Sequence, residues 1–197
     1  CGVVIELADV WGHPLPVVND VEINRAQPKS RLHPILTHAP IGLMPFALIG
    51  ALLLVAVSLL VMFMPDGSNS LMASNEVQSL IQSLPALNQV TLLLLGISVG
   101  VSALTTASGY WDWLHRYGGR PYKQIQVKIA LSIVFFVVGL AVFFMHYSGL
   151  VFNMNSGQIV NSAAGVLSLL VYFGLLFVEM GVIAILGHMG GNLVFGR

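Results

Sequence analysis

Four histidines carry most of the chemistry this chain could do. His33, His38, His115 and His188 each offer an imidazole that can bind a metal or pass a proton near neutral pH. Asp112 could accept an imidazole N–H and set a ring's orientation. Glu179 stands alone as a carboxyl deep inside an apolar run, a placement that marks functional groups in membrane proteins. Histidines from different helices could hold a haem b through two axial imidazoles. They could also bind a divalent metal such as zinc. A third use is to hydrogen-bond helix ends, lipid or quinone headgroups.

Those residues need elements to position them, and composition says which. Of the 197 residues, 56% are hydrophobic and only 8% are charged. A soluble domain carries about a quarter charged residues. The chain therefore reads as an all-α, polytopic membrane protein. Zero net charge argues against nucleic acid as a partner and leaves the lipid bilayer. The single cysteine, Cys1, rules out an internal disulfide and a cysteine-based metal site. It stands where a lipidated cysteine would follow a cleaved leader, but the inward-facing N-terminus argued below speaks against lipidation.

Residues 1–30 read as an extended arm on the membrane surface. Pro14 and Pro16 prevent regular helix there, and His13 reads as a solvated loop residue. Residues 31–197 hold four apolar spans, at about 41–64, 87–108, 127–147 and 160–187. Pro45 should bend the first. Pro65-Asp-Gly stops it, and a short amphipathic helix over Leu71–Leu84 is expected on the membrane surface. Ser98, Ser102 and Thr106 recur every four residues along span two, so they share a face suited to close helix packing.

Four crossings place the N-terminal arm, the turn after span two and the C-terminus on one side, side A. Arg25, Lys29, Arg31, Arg116, Arg120, Lys123, Lys128 and Arg197 all fall there, whereas the side-B loops have no Lys or Arg. The positive-inside rule makes side A cytoplasmic, with both termini inside the bacterial inner membrane. His33, His38, His115 and His188 also sort to side A, and only His146 to side B. His33 and His38 are about 140° apart on an ideal helix, so only one can face inward. His38 is deeper and is expected to face a shared space with His188. That pair is the expected haem or metal site, with His115 in reserve and His33 in the headgroup layer. Glu179 would lie on a proton or quinone path, or hydrogen-bond the Ser/Thr face of span two.

Three stretches resemble a known family. His33-Pro-Ile-Leu-Thr-His-Ala-Pro-Ile-Gly42 resembles the helix-one entry of the bacterial membrane family called domain of unknown function 2231. Gly109-Tyr-Trp-Asp-Trp113 and Gly190-Gly-Asn-Leu-Val-Phe195 resemble its helix-two ending and C-terminal motif. The resemblance covers about residues 31–197 and implies a four-helix membrane bundle. Relatives fused to c-type cytochrome modules imply a redox setting. A histidine common near the start of helix three is replaced here by Gln124 and Gln126. The expected function is a membrane subunit of a respiratory or photosynthetic electron-transfer complex, binding haem b or quinone through the side-A histidines. The alternatives are a cofactor-free structural subunit packed against larger membrane partners, and a small proton or metal transporter. No nucleophile–base pair or phosphate loop marks an enzyme.

Overall fold

The computed structural model describes residues 4–10, 13–19, 32–63, 75–116 and 118–195. Among these, four helices are long and apolar enough to cross a membrane. They are α1 (Leu32–Met62), α2 (Asn75–Arg116), α3 (Lys123–Tyr147) and α4 (Ala163–Phe195). In hydrocarbon every backbone amide and carbonyl must be satisfied within the segment, which is why apolar runs of this length become helices. The chain packs in sequence order: α1 on α2, α2 on α3 and α3 on α4. Contact between α1 and α4 is much sparser.

The arm before α1 is a β-hairpin rather than a simple extended strand. β1 (Val4–Val10) pairs antiparallel with β2 (His13–Asn19), from Val4 opposite Asn19 to Val10 opposite His13. Pro14 and Pro16 do not prevent this. Two positions apart, they meet the partner strand in the same phase, so both missing N–H groups can fall on the free edge. The rest of the expected arm, and the Pro65 stop, lie outside the described residues.

No separate surface helix precedes span two among the described residues. Asn75 to Leu84 are the first turns of α2, which continues through Pro85 for 42 residues. Lipid-embedded helices tolerate an internal proline because packing against neighbours re-satisfies the freed carbonyl. At 1.5 Å per residue α2 is about 63 Å long, twice the hydrocarbon thickness, so its ends project beyond the membrane.

Close helix approach explains several small residues. A Cβ at Gly50 of α1 would collide with Thr91 Oγ1 of α2. The bundle interior is otherwise filled by Met44, Ala47, Ala51, Leu54, Leu95, Phe135, Val142, Tyr172 and Leu176. At side B the segment 148–162 folds back over the bundle. Phe152 bridges Ile159, and the Val160 N–H donates to Val151 O at 3.0 Å. Gly157 turns the chain at φ +69°. The Ile159 N–H donates to Ser58 Oγ at 3.2 Å, which ties this lid to the end of α1.

Candidate functional site

The side-A histidines do not form an interior layer. It is His33, not His38, that turns toward α2. Its Nδ1–H donates to Thr105 O at 3.2 Å and to Ser108 Oγ at 3.1 Å, while Ser108 Oγ donates to the same carbonyl at 2.9 Å. Gly109 makes room for the ring: a Cβ there would sit 2.8 Å from His33 Cε1. Burial lowers the His33 pKa below the ordinary histidine value, and the Asp112 charge opposes that shift. This half-buried ring joins the first sequence motif to the second.

His38, expected to face inward, is exposed. The reason is the same helical offset that turns His33 in. His188 is also exposed. His115 is exposed, stacked on Trp111 at 4.1 Å, with its Nδ1 3.0 Å from Trp111 O of its own helix. Asp112 is half-buried beside His33. Among the described residues no group of three His, Cys, Asp or Glu is gathered to hold a metal. An interior haem held by His38 and His188 does not fit, because both rings lie on the outer surface of the chain.

The polar groups that do meet lie at the other end. His146, near the end of α3, is fully buried. Asn88 Oδ1 of α2 accepts from His146 Nε2–H at 2.9 Å. The Tyr172 hydroxyl of α4 donates to His146 Nδ1 at 2.9 Å. The Asn88 amide donates in turn to Met154 Sδ of the lid at 3.9 Å. Phe152 covers the imidazole from the lid at 5.2 Å. One donor and one acceptor are satisfied on this neutral ring, so His146 has no free nitrogen for a metal. Three helices are fastened together here, in a region where an unmade hydrogen bond is costly.

Two turns from His146 toward side A, about 10 Å along α3, stands Gly139. Glu179 lies two turns from Tyr172 on the same face of α4. These two positions meet: a Cβ at Gly139 would sit 2.8 Å from Glu179 Oε1 and 2.9 Å from Val99 Cγ2. The Glu179 carboxyl is 0% exposed, and neither oxygen has a hydrogen-bond partner among the described residues. Ser98, next to Val99, is likewise buried, with a hydroxyl that bonds nothing there. The other hydroxyls of this face turn back on their own helix: Ser102 to Val99 O at 2.7 Å and Thr106 to Ser102 O at 2.9 Å. Glu179 therefore does not bond the Ser/Thr face as one expectation had it. A buried carboxyl with two free oxygens can take a proton, a cation or a hydrogen-bonding ligand.

Sequence reasoning singled out Glu179 and passed over His146, Asn88 and Tyr172. The signal was partial: Tyr172 is a polar group in an apolar run, whereas Asn88 stands beside Gln89 and Thr91.

The family model described as "Predicted membrane protein (DUF2231)" matches residues 29–197, and the chain belongs to that family. No curated protein matches the chain, and no solved structure does.

Proposed function

Within that membrane family, we propose that this chain is a proton-handling membrane protein whose working group is Glu179. The observation that carries the reading is the carboxyl itself: wholly buried in the bundle, both oxygens unpartnered among the described residues. An uncompensated carboxylate is costly in such surroundings. With no counter-charge beside it among the described residues, the group is held there as the acid or with a bound cation. A proton is the smallest such charge and needs no further ligands. A purely structural subunit gains nothing from this group, because a leucine would pack at lower cost. The haem version of the electron-transfer reading would need an interior imidazole pair, and His38 and His188 are exposed.

The basic residues of side A support a cytoplasmic placement of that side. The start of α1 and the end of α4 would then both face the cytoplasm.

The test is proton flux. Purified protein is placed in liposomes containing a pH-sensitive dye, and a potassium diffusion potential is imposed with valinomycin. The expected result is a proton flux above that of empty liposomes, reduced at least ~10-fold by Glu179→Gln, the factor expected for losing ~1.4 kcal/mol of stabilisation on the path. A flux equal to empty liposomes, or one indifferent to Glu179→Gln, overturns the reading.

A further inference from the structure

The geometry points to one-sided loading of Glu179: the carboxyl exchanges with side A and is sealed from side B by a three-layer plug. This inference rests on the reading of Glu179 as the working group and adds the direction from which its proton comes.

The plug is visible layer by layer. The outer layer is the lid, with Val151 and Phe152 fully buried beneath the loop. Under it lies the His146–Asn88–Tyr172 network, whose ring nitrogens are both occupied. On α2 the buried Thr91 hydroxyl then turns back to Leu87 O at 2.8 Å, and the layer inward of it presents only hydrocarbon. Leu95 of α2, Val142 of α3 and Leu176 of α4 are all buried there, and none carries a polar atom beyond its backbone. Glu179, Gly139 and Ser98 begin one turn further on. A proton coming from side B would have to cross the leucine–valine layer, where no side chain can relay it.

The path to side A also passes buried apolar side chains, Phe135 of α3 and Val182 and Ile183 of α4, but on α2 it differs in packing and in chemistry. Among the described residues the last buried one of α2 is Ser102, although the helix runs on to Arg116. From there to side A, Thr105, Thr106, Ser108 and Gly109 are only half-buried. On α4 the last buried residue among those described is Ile183, one turn beyond Glu179. Hydroxyls recur along α2 from Ser98 through Ser102, Thr105 and Thr106 to Ser108, where His33 meets the chain of bonds. Beyond Ser98, each of these hydroxyls bonds a carbonyl of its own helix and can swing away from it. Water entering at His33 would find polar partners to within one residue of Val99, which touches the same glycine as Glu179.

The test uses the full chain with Cys1→Ser as a cysteine-free background. Single cysteines are placed by Ser98→Cys, Ser102→Cys and Thr91→Cys. A membrane-impermeant methanethiosulfonate reagent is added to one face of sealed vesicles of known orientation. The expected result is that Ser98→Cys and Ser102→Cys react at least ~10-fold faster from side A than from side B, a difference of ~1.4 kcal/mol in barrier. Thr91→Cys, on the far side of the apolar layer, should stay unreactive from side A. Faster reaction of Ser98→Cys from side B, or reaction from neither side, overturns the inference. Adding Leu176→Ser should open Ser98→Cys to side B, and its failure to do so would show that the leucine–valine layer is not the barrier. The labelling reads water access and not proton movement. Loss of the proton reading would therefore show in the flux assay alone, and loss of the one-sided path in the labelling alone.

Discussion

Glu179 of α4 rests against Gly139 of α3 so closely that a Cβ at that glycine would lie 2.8 Å from the carboxyl oxygen. The glycine is what lets a glutamate fit between two helices. Gly139→Ala must displace the carboxyl or Val99. Overpacking of this kind costs ~1–3 kcal/mol. Chemical denaturation in detergent should show that loss, and proton flux should fall with it. Unchanged stability would mean that the two helices are not this close.

The His146 network makes a separate prediction. Tyr172→Phe removes the donor to His146 Nδ1 and leaves a buried acceptor unsatisfied. The expected cost is ~1–3 kcal/mol. Combined with Asn88→Ala, the effect should be non-additive by at least ~0.5 kcal/mol, because both act through one ring. Simple additivity in a double-mutant cycle would show that the two bonds are not coupled.

At side A the pH response has a definite sign. Burial lowers the His33 pKa, so the folded chain holds this ring neutral where an unfolded one would be charged. Between the lowered value and the ordinary ~6.5, the unfolded state binds more protons. The contribution is complete above about pH 6.5 and is lost as pH falls through that value toward the lowered one. Wild type should therefore lose more thermal stability between pH 8 and pH 5 than His33→Gln does. Equal losses would show that the ring is not held neutral.

The lid gives a fourth expectation. Gly157 has φ +69°, and a Cβ there would lie 2.5 Å from Leu84 O. Gly157→Ala is therefore strained in backbone and in contact, and should cost ~1–3 kcal/mol. Faster amide exchange confined to residues 148–162 would locate the damage in the lid, whereas unchanged exchange there would contradict the packing.

Much of the architecture is legible in the chain. Four apolar runs and the turns between them give four crossing helices, because hydropathy alone decides what can lie in lipid. Glu179 stands out for the same reason. What escapes is whatever depends on two helices meeting. That His33 rather than His38 turns inward follows from the rotation of α1 against α2, which no spacing within α1 supplies. Gly109 and Gly139 look like ordinary membrane glycines until His33 and Glu179 are seen against them. His146 was set aside because it sorts alone to side B, whereas its partners come from the apolar interiors of α2 and α4. Leu71–Leu84 read as a separate surface helix, but from Asn75 the chain is already α2 and continues through Pro85.

The central claim is that Glu179 is an exchangeable acid in the middle of the membrane, and infrared spectroscopy of the reconstituted protein tests it most directly. The account predicts a protonated-carboxyl C=O band that shifts in D2O and is missing from Glu179→Gln. A spectrum in which Glu179→Gln removes only carboxylate bands would contradict it, as would a C=O band that never exchanges.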